Sequence, residues 1–435
     1  MSKRLGLPAQ MGIGMVLGIV IGAMAPSFSI DASWFKPLGD LFITLVRMVV
    51  VPLVFTTLVA GAASVCDVKE LGRVASKTIL YYLLTTTAAV VIGLVLANLQ
   101  GHIMNLAKFP RRGYVKEATP IEYLPNFSKA LGNKVNVYIK RDDLLPGCAG
   151  GNKTRKLDFS IADALACGAD TLITCGAVQS NHCRLTLAWA VHEGLDCHLV
   201  LEERMKGSYN PEASGNNFLY QLLGVKSITV VPGGSPMMEE MEKVAERLRA
   251  EGKKPYIIPG GASNHIGALG YVSCAQEIMQ QMFDMGLNFD HVVVPSGSAG
   301  THAGMIAGFC GNNMDIPMSG IDVSRPGDVQ RGIVHKLAQE TLDYIGAGIT
   351  LPEEKVVCFG DYYQPGYSIP NDGMVEAVKM LARTEAILLD PVYSGKAMSG
   401  MIDLIRKDYF PRGANVLFLH TGGSPALYAY LPTFR

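Results

Sequence analysis

Lys153 and Lys156 stand three positions apart, with Arg155 between them, directly after Gly150 and Gly151 in "GGNKTRKLD". Two amines so placed can divide labour. One must be neutral part of the time to attack a carbonyl, and the other must stay charged to hold an anion. On its own, a lysine pair on a helix face is a solvated surface, so other residues must decide. A second compliant stretch, "SGSAGTHAG" (296–304), follows a β-branched run and precedes the apolar "MIAGFC". At a strand-to-helix turn of this kind, backbone N–H groups and a helix N-terminus converge on one point, which suits a phosphate. No GK[ST] follows and GxGxxG is incomplete, so neither a Walker motif nor a dinucleotide fingerprint is present. A phosphate-bearing cofactor that condenses with amines is pyridoxal 5′-phosphate, and a lysine at the opening turn of another helix fits it.

Short β-rich runs alternate with amphipathic stretches after residue 115, the pattern of an α/β domain with mainly parallel sheets. Strands are expected at 135–143, 171–176, 197–203, 227–233, 255–261, 291–297 and 414–423, and helices at 181–194 and 236–252. Ligands then belong in the crevice at the carboxyl ends of the strands.

Six motifs carry a family resemblance: "GGNKTRKLD", "GAVQSNH" (176–182), "SGSAGTHAG", "PGYSIPNDG" (365–373), "DPVYSGKAMSGM" (390–401) and "HTGG" (420–423). In this order they resemble the D-cysteine desulfhydrase and 1-aminocyclopropane-1-carboxylate deaminase family of pyridoxal-phosphate enzymes. The resemblance runs from about Met104 to Arg435. It implies a two-lobed, tryptophan-synthase-β-like α/β fold (pyridoxal-phosphate fold type II), with a smaller lobe at roughly 156–264. By the family pattern Lys153 is the Schiff-base lysine and Lys156 contacts the cofactor phosphate. Gly297, Ser298, Ala299, Gly300 and Thr301 resemble the phosphate cup, and Asn181 reaches the cofactor's 3′-oxygen. Ser180, Asn181 and His182 stand where the family holds the substrate carboxylate. Ser180 is also counted with the catalytic groups, beside Tyr367 and Tyr393, and Thr421 with the substrate contacts. Tyr393 would pass a proton to or from the substrate.

Two positions discriminate within the family. The deaminase type has glutamate after the second tyrosine and leucine before the final glycine pair, where this chain has Ser394 and Thr421. Ser394 would meet the pyridine nitrogen and leave it neutral, a weaker electron sink than a carboxylate partner gives. Elimination of a thiolate tolerates that better than opening a cyclopropane ring. The resemblance therefore implies α,β-elimination of D-cysteine to hydrogen sulfide, ammonia and pyruvate. The deaminase, or a transporter fragment fused to a module that only binds the cofactor, are the competing readings.

Composition bounds the rest. Lysine plus arginine equals aspartate plus glutamate at 38 each, so no bulk charge argues for nucleic acid. The cysteines, nine in number, have no CxxC or metal-ligand spacing, which points to reduced thiols, a reducing compartment and no metal. Apolar residues make up 49% of the chain and concentrate at its start. Segments 5–25, 38–63 and 78–99 each exceed the roughly 20 residues needed to cross a bilayer, so three membrane helices are expected in a segment 1–103, ahead of an enzyme domain 104–435. The stretch "FKPLGDLFITLVRMVVVPLVF" (35–55) resembles the opening helices of dicarboxylate/amino-acid:cation symporters. Basic clusters before the first, after the second and after the third segment all favour the cytoplasm, which three crossings do not allow. "MNLAKFPR" also resembles a native start at Met104, so two unrelated coding units are joined here. The expectation is a multi-pass membrane protein with a cytoplasmic enzyme domain, or a cytoplasmic enzyme if translation begins at Met104. The family implies a small amino-acid substrate and a homodimer.

Overall fold

The computed structural model describes residues 68–99 and 104–435. Contacts divide the chain into two units, Met1–Leu99 and Gln100–Arg435. In the first unit, helix α1 (Val68–Leu99) takes in the third apolar segment. From Ile79 to Leu84 every side chain is more than half exposed, so apolar surface runs right around more than one turn. Among the described residues no helix is long and apolar enough to cross a membrane. The expected spans 5–25 and 38–63 lie outside the described residues.

The second unit begins with β1 (Ile121–Tyr123), α2 (Pro125–Ala130), β2 (Asn136–Arg141) and α3 (Lys153–Ala166). Next come β3 (Thr171–Ala177), α4 (Asn181–Glu193), β4 (Asp196–Glu203), α5 (Asn216–Leu222), β5 (Ser227–Pro232), α6 (Met237–Ala250) and β6 (Pro255–Ile258). Then follow α7 (His265–Met285), β7 (His291–Ser296), α8 (Gly300–Gly311), β8 (Met318–Asp322) and α9 (Gly327–Ile345). The chain ends through β9 (Val357–Phe359), α10 (Asp372–Glu385), α11 (Ser394–Arg406), β10 (Asn415–His420) and short helical turns.

Two sheets result. The larger has the order β1-β2-β10-β7-β8-β9, parallel except for the edge strand β1. The smaller, β5-β4-β3-β6, is parallel throughout. Period-two alternation sorts the strand side chains between two cores. Val292, Val294, Leu417 and Leu419 pack with residues of α7, α8 and α9, whereas Val293, Val416 and Phe418 pack with α10 and α11. In the smaller sheet Leu172 and Leu199 face α3 and α4, and Ile173 and Val200 face α6. Helices on both faces explain why β7, "HVVVPS", is buried along its whole length.

All seven expected strands are present. Strands β1, β8 and β9 were not expected. "MSGID" in β8 lacks a β-branched run, and its pairing with β7 over five residues imposes the extended form. The eight described cysteines are free thiols.

Candidate active site

Strands β3, β4, β6, β7, β8 and β10 all deliver their carboxyl ends to one cavity of about 330 Å³. Lys153 borders it as the first residue of α3. Burial pulls its ammonium down to about 8, and the Asp390 carboxylate opposes that only in part. At pH 7 the neutral fraction is then about 300-fold larger than for an ordinary lysine. Asn152, just before Lys153, ties the site together. Its backbone N–H donates to Thr421 O (3.0 Å) and its Nδ2 to Thr301 Oγ1 (2.9 Å).

Lys156 lies one layer behind the cavity wall, fully buried, and donates from Nζ to Gly261 O at 3.0 Å and Ser263 Oγ at 3.4 Å. Among the described residues no carboxylate pairs with it. Burial, with Lys153 adding to it, pushes its pKa far down. A Cβ built on Gly300 would come within 2.8 Å of that Nζ, so the opening of α8 closes over the ammonium only because residue 300 has no side chain. Ala299 precedes it at φ 73° and ψ −36°, a strained conformation for a residue with a Cβ.

At the opposite wall Ser180 caps α4, its Oγ accepting from Cys183 N at 3.2 Å. Asn181 Oδ1 accepts from Asn216 Nδ2 at 2.9 Å, which leaves the Asn181 amide N–H groups free to face outwards. His182 Nε2 meets Thr174 Oγ1 at 2.7 Å, and Thr174 donates its own proton to Ile258 O. The imidazole must therefore donate from Nε2, which leaves a bare Nδ1, buried without a hydrogen-bond partner. Burial, with Lys153 and Lys156 adding to it, keeps this ring neutral.

At the same cavity the hydroxyls of Tyr367 and Tyr393 hydrogen-bond to each other. Burial pushes Tyr393 up to about 12, the Tyr367 bond and the Arg204 charge working against it. Arg204 lies with its guanidinium carbon 4.0 Å from the centre of the Tyr367 ring. Asp390 fixes Tyr393 in place, its carboxylate accepting from the backbone N–H of Val392, Tyr393 and Ser394 at 2.7–3.0 Å. Ser394 Oγ donates to Asp390 Oδ1 at 2.7 Å and accepts from Asp390 N at 2.9 Å, so its proton is already committed.

The residue pattern of a family described as pyridoxal-phosphate dependent enzyme matches residues 114–422. A solved structure described as an ACC deaminase homologue is 38% identical, covers 76% of this chain and 96% of its own, and superposes with a TM-score of 0.68. The chain belongs to the pyridoxal-phosphate dependent enzyme family. A fungal L-serine ammonia-lyase from Rhizomucor miehei (20% identity, 73% of this chain, 98% of its own, TM-score 0.53) shares the fold. So does a pyridoxal 5′-phosphate-dependent aspartate racemase (17%, 70%, 90%, 0.51). The fold is thus pyridoxal-phosphate fold type II, and the cofactor of this family is pyridoxal 5′-phosphate. Residues 7–122 separately match the sodium:dicarboxylate symporter family.

The donor set fits that cofactor. A buried lysine without a counter-ion beside a helix N-terminus is suited to a phosphate, whose charge would restore the ammonium that burial disfavours, and Lys153 offers the amine at the same cavity. For this pyridoxal-phosphate enzyme, Lys153, Ser180, Asn181, His182, Gly297, Ser298, Ala299, Thr301, Tyr367, Tyr393 and Thr421 all border the cavity. Lys156, Gly300 and Ser394 do not border it and stand just behind. Sequence reasoning missed Gly260 and Gly261, whose "PGG" was read as a strand end, and Arg204 and Arg325, which follow strands without a glycine signal. It also missed Asn216, which orients Asn181, and Lys396, which donates to Tyr363 O (2.8 Å) and Gly366 O (2.6 Å) and so anchors the loop of Tyr367.

Proposed function

We propose that this enzyme catalyses the α,β-elimination of D-cysteine to hydrogen sulfide, ammonia and pyruvate. The observation that carries the reading is one cavity bordered by Lys153, the Tyr367–Tyr393 pair and the Thr421 hydroxyl, with no carboxylate at position 394. Bound pyridoxal phosphate supplies an aldehyde that condenses with amines and a ring that withdraws electrons from Cα. Lys156 and the opening of α8 hold the phosphate; Asn181 donates from its free amide N–H groups to the 3′-oxygen. The substrate carboxylate would rest on the start of α4, where the helix dipole, the Ser180 hydroxyl and the backbone N–H groups of Asn181 and His182 favour an anion. With the cofactor bound, Lys153 would hold its aldehyde, and its neutral nitrogen would be placed to accept the Cα proton. Tyr393, whose pKa burial keeps near 12, stays protonated and donates to the departing sulfur. With its proton given to Asp390, Ser394 has none to offer a ring nitrogen. Such a ring is a modest electron sink, enough to expel a thiolate and poorly matched to a cyclopropane.

The 38% identity to an ACC deaminase homologue favours 1-aminocyclopropane-1-carboxylate deamination as the second reading. Assays of purified enzyme with D-cysteine, L-cysteine and the cyclopropane amino acid separate the two. Sulfide and pyruvate from D-cysteine are expected, whereas 2-oxobutanoate from the third substrate would install the second reading. Loss of sulfide release in Lys153→Ala is expected as well, and full activity there would refute the assignment.

The symporter match supports a membrane-embedded start; the basic residues after the third apolar segment favour a cytoplasmic enzyme domain, and a homodimer is what the family resemblance implies. Immunoblots of native cells check this: a membrane-bound band for the full chain is expected, and a soluble, shorter band starting at Met104 would contradict it.

A further inference from the structure

Two guanidinium groups border the cavity without a part in the chemistry above. Arg204 follows β4 and Arg325 follows β8, so they reach the cavity from different sheets. Arg204 is already engaged. Its Nε donates to Glu202 Oε2 at 2.6 Å, and its planar group lies on the Tyr367 ring. Arg325 is not engaged; among the described residues no hydrogen bond or ion pair reaches it. Burial loosens its hold on its proton, and the Arg204 charge acts in the same direction, which places the two cations in each other's field. The nearby carboxyl, Asp322, is buried with only the Cys358 thiol beside it to donate, and burial pushes it up to about 8. Burial thus disfavours its charged form, so it neutralises Arg325 less than an ordinary carboxylate would.

The charge count at this wall is then two guanidiniums against the Glu202 carboxylate, a net excess of positive charge facing the cavity. The cofactor phosphate has its own cation in Lys156, and the substrate carboxylate has the start of α4. A third anion remains to be placed. We infer that Arg204 and Arg325 form a subsite for a substrate side chain ending in a compact oxyanion, such as a carboxylate on the β-carbon. This rests on the cavity being the amino-acid site of the proposed elimination. Arg325, half-buried and unpaired, supplies most of the selectivity, because a desolvated guanidinium gains more from an anion than from a neutral group of the same shape.

The test uses full-length holoenzyme, with aspartate and asparagine of both configurations as isosteric probes. Affinity is read in two ways, by competition against D-cysteine turnover and directly from the cofactor absorbance. Aspartate of the accepted configuration is expected to bind about tenfold more tightly than asparagine. In Arg325→Gln the ratio falls to about one, Arg325→Lys keeps part of it, and Arg204→Gln lowers it with Tyr367 displaced. Equal affinities in the wild type, or a ratio that survives Arg325→Gln, overturns the inference. So does loss of cofactor from Arg325→Gln with the ratio intact on resupply, which would give the guanidinium to the cofactor. Absence of sulfide from D-cysteine would instead sink the elimination reading, while the absorbance ratio still reports on the subsite.

Discussion

Lys153 is useful because it is an amine, not an ammonium, for an appreciable part of the time. Its burial sets that fraction, and the consequence is measurable in cofactor uptake by the unloaded enzyme. The rate of uptake should rise about tenfold per pH unit below 8 and level off above it, because the neutral amine then predominates. A rate still climbing steeply to pH 10 would mean an ordinary lysine. The tyrosine pair gives a second expectation. Tyr393→Phe removes the proposed proton donor and leaves the packing, so kcat should fall by about 10²-fold or more while KM changes little. An equal loss in KM would recast Tyr393 as a binding group. At this scale the sequence was readable where residue type and motif coincide, as at Lys153, Asn181 and Tyr393. Arg325, Asn216 and Asp390 were not, because their roles depend on neighbours from remote segments.

Helix α3 carries Lys153 and is clamped from behind. Arg155, 2% exposed, bonds Asp142 and Glu277, and Asp142 also accepts from Tyr271 on α7. The clamp needs α3 and α7 in close approach, which Gly270 permits: a Cβ there would lie 2.2 Å from Arg155 O. Backbone cannot yield as a side-chain tip can, so Gly270→Ala should cost about 2–3 kcal/mol, a drop of roughly 3–4 °C in Tm for a unit of this size, and weaken cofactor retention. Gly332 on α9 is the control, since nothing lies within 4 Å of its added Cβ. Gly332→Ala should gain up to about 1 kcal/mol from helix propensity alone. Equal melting temperatures for the two variants would refute the packing argument. Strands with continuous apolar runs were legible because both faces are covered; β8 was not, because its burial comes from position rather than composition.

The whole chain joins two units of different character, and the boundary was legible as the point where unbroken apolar runs give way to alternation. Met104 belongs to the second unit: it is buried in the core beside Gly311, and its carbonyl accepts from Gln276. Residues 104–435 should therefore fold alone, retain the cofactor and melt within about 3 °C of the enzyme transition in the full chain. Aggregation of that piece, with soluble and loaded full-length protein, would show that the first 103 residues complete the enzyme.

In the proposed arrangement one cofactor spans from the start of α3 to the start of α8, and the bond at its Lys153 end can be made permanent. Reduction of the holoenzyme with borohydride, digestion and peptide mass analysis locate the joined residue directly. The mass of reduced pyridoxal phosphate is expected on the peptide containing Lys153 and on that lysine alone. The label on Lys156 or Lys396, or on no lysine despite bound cofactor, would contradict the account.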